Sequence, residues 1–121
     1  RQATENIIGD KEKTTQNIVE RSREYIEHNF ARDINLNSIS REMHVSPYYF
    51  SKLFKATTGQ NFIDYLTQLR MEAAKARLSG TSQSVKEICL SIGYSDPNYF
   101  SRSFKKYAGL SPSEYREAYG S

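Results

Sequence analysis

The chain has 121 residues, enough for one domain or two very small ones sharing a core. Hydrophobic residues make up 37% and charged residues 26%, the balance of an ordinary globular protein, which excludes wholesale disorder. Seventeen Lys and Arg against fourteen Asp and Glu give a net charge of only +3, too little alone to argue for a polyanionic partner.

Apolar runs of two or three residues are too short for a membrane helix, and no charged-then-apolar leader opens the chain. A single cysteine, Cys89, has no internal disulfide partner and fits a reducing, cytoplasmic compartment. Because Arg1 stands where an initiator methionine would be, the chain reads as part of a longer protein. Residues 1–14 lack apolar periodicity and are expected to be a linker or lead-in from a missing N-terminal domain.

From Thr14 or Thr15 as a cap, Ile18, Ser22, Tyr25, Ile26 and Phe30 fall at helix spacing, ending before Asp33. Asn35 is placed to cap a second helix with Leu36, Ile39 and Met43 on one face. Ser46-Pro47 opens a third, with proline at the first helical position where its missing N–H costs nothing, and Gly59 stops it. A long helix at about 61–79 places Phe62, Leu66, Leu69, Ala73 and Ala76 inward and ends at Gly80. Ser84 caps a short fifth helix with Val85, Ile88, Cys89 and Ile92 inward, and Asp96-Pro97 opens a sixth that Gly109 stops. Ser111-Pro112 opens a last one carrying Tyr115 and Tyr119. No stretch alternates with period two, so the expected fold is all-α.

The second and third helices repeat as the fifth and sixth. Ser46–Gly59 laid on Asp96–Gly109 gives seven identities in fourteen, with Lys52 on Arg102. The preceding helices align at an offset of 49, so the second copy has one extra residue in its turn. A duplicated helix–short turn–helix unit emerges, the first at about 34–59 and the second at about 84–109, joined by the long helix. Gly93 stands where the sharp bend needs a positive φ, and His44 is its counterpart. A metal-ligand or catalytic role is the alternative for His44, but no second ligand clusters near it in sequence.

Charge is unevenly placed. Met43–Ile63 holds Lys52 and Lys55 and no acid, and Pro97–Ser113 holds Arg102, Lys105 and Lys106 and no acid. The rest of the chain carries twelve bases against fourteen acids. Acid-free basic segments in a slightly acidic chain are the pattern phosphate contact requires, although two solvated helix faces would read the same. On an ideal helix Tyr48, Ser51, Lys52 and Lys55 share a face opposite Phe50, Leu53, Phe54 and Thr57. Asn98, Ser101, Arg102 and Lys105 likewise lie opposite Phe100, Phe104 and Tyr107. The outward sets hold the groups a major groove requires: Arg or Lys for guanine, Asn for adenine and Ser for either. Tyr49 and Tyr99, on the flanks, are read as packing rather than base contacts. A connecting helix of about 19 residues is roughly 28 Å long. That length brings two recognition helices near the ~34 Å groove repeat on one face of B-DNA.

GYSDPNYFSRSFKKYAGLSPSEYR at 93–116 closely resembles the signature of the AraC/XylS family of bacterial transcription regulators. The resemblance extends through SPYYFSKLFKATTG and FIDYLTQLRMEAAKARL and covers about Thr15–Tyr119. It implies a seven-helix DNA-binding domain with the third and sixth helices in adjacent major grooves. Matched by position, it implies groove-reading by Tyr48, Ser51, Lys52, Asn98, Ser101 and Arg102. The chain is most similar to the output domains of AraC-type two-component response regulators, in which a phosphorylatable receiver domain comes first. Ser40 stands where the family usually has alanine, which would loosen the first unit slightly. Cys89 fills the matching place as a small buried residue, with a redox switch as the other reading.

Sequence-specific double-stranded DNA binding is therefore the leading function, with RNA polymerase as an expected second partner. The alternative is a protein-interaction module using the same faces on RNA polymerase or another acidic partner. No paired acids, phosphate-binding Gly-rich loop or nucleophile–His constellation points to an enzyme, and no cofactor or metal is expected. The fragment is expected to be monomeric, and the full-length protein is open to dimerising through the missing domain.

Overall fold

A computed structural model describes the backbone of residues 2–120 and the side chains of residues 15–120. Seven helices and no strand form among the described residues: α1 (Gln2–Asn29), α2 (Leu36–Glu42), α3 (Pro47–Thr58), α4 (Phe62–Gly80), α5 (Val85–Ser91), α6 (Pro97–Ala108) and α7 (Pro112–Tyr119). The all-α expectation holds. Helix α1, however, begins at Gln2 rather than after Thr14 or Thr15. Its first turns carry good helix formers such as Ala3, Glu5, Lys11 and Glu12 and no proline, so backbone propensity continues the helix without an apolar stripe. The lead-in reading of residues 1–14 concerns side chains outside the described residues.

The helix starts obey local chemistry. Asn35, Ser84 and Ser111 each accept from the backbone N–H three residues on, and Ser38, Glu87 and Glu114 return the bond to complete a capping box. Ser46 accepts from the Tyr49 N–H, and Asp96 from the Asn98 N–H. All three prolines of the chain sit in the first turn of the helix they open. Gly59 and Gly109 close α3 and α6 with φ of 80° and 85°, each donating its N–H to the carbonyl four residues back.

The same turn is built twice between the paired helices. The His44 N–H donates to the Arg41 carbonyl at 3.1 Å and the Val45 N–H to the Ser40 carbonyl at 3.0 Å. Gly93 and Tyr94 repeat this onto Leu90 and Cys89 at 3.3 and 3.0 Å. This nested pair of bonds requires a left-handed residue, and His44 (φ 62°) and Gly93 (φ 102°) supply it. Glycine is needed at 93 for a second reason: a Cβ there would meet the Phe30 carbonyl oxygen at 3.0 Å and the Arg70 guanidinium at 3.1 Å.

The chain divides into two compact units, one of residues 1–29 and 34–65, the other of residues 30–33 and 66–121. In the first, α3 lies against α1 and α2. Ile18, Val19 and Ile26 of α1, Ile39 and Met43, and Phe50, Phe54 and Phe62 are buried there. Phe54 meets the edges of Phe62 and Tyr65, with ring centroids at 6.5 and 5.4 Å. The second unit buries Met71, Ala74 and Leu78 of α4 with Ile88, Cys89, Ile92, Phe100 and Phe104. Phe104 meets Tyr115 edge-on at 5.5 Å, as Phe54 meets Tyr65. The repeat thus extends beyond its second helix: Asn61 and Ser111 cap the next helix in each copy, and Tyr65 and Tyr115 return to the equivalent phenylalanine.

Two of the expected faces need correction. Along α4, Leu69 and Ala73 are half-buried and Ala76 is exposed, whereas Met71, Ala74 and Leu78 are buried. One stripe is the expectation, but Phe62 belongs to the first unit while Leu66, Met71, Ala74 and Leu78 belong to the second, so the two ends of the helix serve different cores. Thr57 is exposed and Tyr107 is 39% exposed rather than inward. Both lie in the last turn of their helix, where the inward stripe has passed the core, and the Tyr107 hydroxyl instead donates to Glu72 at 2.7 Å. Partial desolvation, then the hydrogen bond to Glu72 and that carboxylate's charge, push the phenol up to about 12.

Gly93→Ala combines a strained φ with a crowded Cβ and is expected to cost about 1–3 kcal/mol. His44→Gly should stay within about 1 kcal/mol of the parent, and thermal melts of both check the assignment. A second expectation concerns acid. The Ser84 and Ser111 N–H groups hold the Glu87 and Glu114 carboxyls below their ordinary value of 4.5. Because the folded pKa is lowered, this stabilisation is present above the ordinary value and is lost as pH falls through the folded one. Melting temperature should therefore fall more steeply below about pH 4.5 in the parent than in Glu87→Gln/Glu114→Gln, whose amides cap without titrating.

Candidate nucleic-acid interface

Each unit holds one helix by a pair of phenylalanines and leaves the opposite face bare. In α3, Phe50 and Phe54 stand four residues apart with no exposed surface, their rings 5.5 Å apart. In α6, Phe100 and Phe104 repeat this at 5.8 Å. Spacing of four puts both rings on one side of a 3.6-residue helix, which sends residues two positions away to the other side.

On α3, Tyr48 is 72% exposed, Lys52 and Lys55 are exposed, and Ser51 is half-buried at the edge of the row. The Lys52 ammonium donates to the Tyr48 hydroxyl at 3.1 Å and lies 5.1 Å from its ring centroid. On α6, Asn98, Arg102, Lys105 and Lys106 are exposed and Ser101 is half-buried. The ion pairs within 4.0 Å among the described residues are Arg23–Glu20 and Lys75–Glu72. Neither involves the bases of α3 or α6, which are exposed; of these, Lys105 is near enough to Glu114 for its charge to help lower that carboxyl's pKa.

Tyr49 and Tyr99, expected to pack, are 45% and 53% exposed. The Tyr99 ring touches Tyr94 at 5.9 Å, so its packing is partial. The Asp96 carboxylate is engaged with the Asn98 N–H at 3.0 Å, as a cap. Ser40 is buried, but its hydroxyl donates to the Asn37 carbonyl at 3.0 Å, so the departure from alanine leaves no polar group unpaired. Cys89 is buried with its thiol toward the Tyr94 carbonyl at 3.6 Å, and burial pushes its pKa up, the opposite of a reactive thiol. His44 serves the left-handed turn.

Two arginines without any local sequence signal support the second unit. Arg70 Nε donates to the Phe30 carbonyl at 2.7 Å and its terminal nitrogen to the Arg32 carbonyl at 3.0 Å, with the guanidinium 5.5 Å from the Tyr94 ring. Arg116 does the same for the Leu78 and Thr81 carbonyls at 3.1 and 3.3 Å. Each neutralises the free carbonyls at a helix end. Their partners lie 35–40 residues away, so no pattern of neighbouring residues marks them.

The division of labour is testable by stability. Phe104→Ala should cost about 3–5 kcal/mol. Asn98→Ala should remain within about 0.5 kcal/mol, as an exposed substitution does. Thermal melts showing the reverse order would invert the face assignment.

The profile of the helix-turn-helix domain family matches residues 39–118. Among solved structures, the chain is similar to the C-terminal domain of AraT, a response regulator from Geobacillus stearothermophilus. The TM-score is 0.84 and the identity 40%, over 86% of this chain and 87% of that one. It is also similar to the C-terminal domain of the two-component response regulator YesN from Fusobacterium nucleatum, with a TM-score of 0.80 and 38% identity, over 83% and 98%. The HTH-type transcriptional regulator YijO of Escherichia coli K12 is 37% identical over 119 residues, which are 96% of this chain and 42% of that protein. The chain spans less than half the length of this and the next two curated relatives. A duplicated helix-turn-helix with two bare, acid-free rows, matched in fold and sequence over most of its length, belongs to the AraC-type family of DNA-binding helix-turn-helix domains.

Proposed function

We propose that the chain binds double-stranded DNA sequence-specifically as the output domain of a bacterial two-component response regulator, with α3 and α6 as the reading helices. The observation that carries this is the pair of exposed rows, Tyr48, Ser51, Lys52 and Lys55 on α3 and Asn98, Ser101, Arg102 and Lys105 on α6, each opposite a buried phenylalanine pair. Lys106, exposed beside the second row, is assigned to phosphate rather than to bases. Solved relatives described as C-terminal domains of response regulators support the output role. No helix among the described residues is long and apolar enough to cross a membrane, in keeping with work in the cytoplasm.

Because both units lie in one chain, the proposal has a monomer occupying one asymmetric site of about two helical turns. Residues 1–14 serve as the lead-in from an upstream domain, and any dimerisation belongs to that domain. RNA polymerase is the protein partner, reached by surfaces outside the two rows, and its recruitment to the occupied site by the whole regulator checks this. The chain performs no chemistry of its own.

Titration on a selected duplex should saturate at one chain per site, with affinity falling steeply as salt rises. Arg102→Ala should cost about 1–3 kcal/mol on that duplex and relax preference at one or two base pairs. Lys106→Ala should weaken every duplex alike and flatten the salt dependence. If both variants shift all duplexes equally, α6 does not read bases.

A further inference from the structure

Within their outward rows the two reading helices share Ser51 with Ser101 and Lys55 with Lys105, and differ at the other two matched positions. On α6 these hold Asn98 and Arg102, and on α3 they hold Tyr48 and Lys52. An arginine carries a planar fork of donors and reads two adjacent acceptors alone, whereas a lysine is a point charge on a flexible stem with no preferred direction. In isolation Lys52 would be the poorer reader.

It is not in isolation. Its ammonium donates to the Tyr48 hydroxyl at 3.1 Å, one helical turn toward the start of α3, and lies 5.1 Å from the ring centroid. An ammonium has three N–H groups and a phenol one O–H, so a pair joined by one bond retains an N–H and an O–H donor side by side. The pair stands in the first two turns of α3, the part of a recognition helix that meets base edges.

The second unit supplies a contrast. There Lys75 also lies 5.1 Å from a tyrosine ring, that of Tyr107, but both close onto the Glu72 carboxylate, at 3.3 and 2.7 Å. Those donors are spent internally. No ion pair among the described residues claims Lys52.

Resting on the DNA-reading role proposed above, we propose that Tyr48 and Lys52 act as one composite donor that selects guanine, doing jointly on α3 what Arg102 does singly on α6. Guanine offers two adjacent major-groove acceptors, N7 and O6, which two neighbouring donors match. Adenine puts an N6 donor in place of the second acceptor and so opposes one member of the pair, and cytosine presents only a donor and so accepts from neither. The ring is the positioning element, and the hydroxyl is the specificity-determining atom.

The test measures the wild-type chain, Tyr48→Phe, Lys52→Arg, the double variant and Arg102→Ala on a selected duplex and each of its single base-pair changes. Tyr48 is mostly solvent-exposed, so phenylalanine keeps the ring and the fold while removing only the hydroxyl. Tyr48→Phe should lose about tenfold of the discrimination at one G·C pair and leave the pair read by Arg102 unaffected. Adding Lys52→Arg should restore that discrimination, since arginine brings its own fork. Unchanged discrimination in Tyr48→Phe, equal weakening on every duplex, an effect centred on an A·T pair, or no recovery in the double variant would each overturn the composite donor. In those cases a loss in Arg102→Ala at its own base pair would leave the DNA-reading role standing. A wild-type chain that prefers no duplex would overturn both.

Discussion

A helix that must present one face to a partner has to be held entirely by the other, and here that hold is a phenylalanine pair one turn apart. Phe50 and Phe54 in α3, and Phe100 and Phe104 in α6, have no exposed surface. Each pair buries enough apolar area to fix the rotation of its helix about its own axis. Rotation is what decides which residues face outward, since an error of one residue turns the row by about 100°. Tyr65 and Tyr115 lock the second ring of each pair edge-on, and the caps Ser46 and Asp96 fix where the helix begins. The bare rows are thus a by-product of packing.

Most of this frame is written locally. Caps, first-turn prolines and closing glycines act over three or four residues, so Asn35, Ser46, Ser84, Asp96 and Ser111 are readable as helix starts from the residue order alone. The left-handed turn is legible for the same reason, even at His44, because its alignment with Gly93 exposes the shared backbone demand. The start of α1 is not legible, because residues 2–14 carry no periodic apolar pattern in the sequence.

The features that escape the sequence depend on distant partners. The inward stripe of α4 reads as one row, but Met71, Ala74 and Leu78 answer to a different core from Phe62. Arg70 and Arg116 look like ordinary surface charges until their carbonyl partners come into view. Tyr107 reads as core by spacing and finds Glu72 instead. Of the proposed reading residues, the exposure of Tyr48, Lys52, Asn98 and Arg102 is set by periodicity, while the bond joining Tyr48 to Lys52 is not.

The separation of anchor from reading face has an evolutionary corollary. Because Ser46, Phe50, Phe54 and Gly59 fix α3 without using its outward row, that row is free to change by point substitution while the fold persists. The same holds for α6 between Asp96 and Gly109. Two such helices in one chain form a lock with two independent tumblers: a duplicate of the gene could be re-addressed one half at a time. Each intermediate would keep the grip of the unaltered half, so a new target could be approached without passing through a chain that recognises nothing.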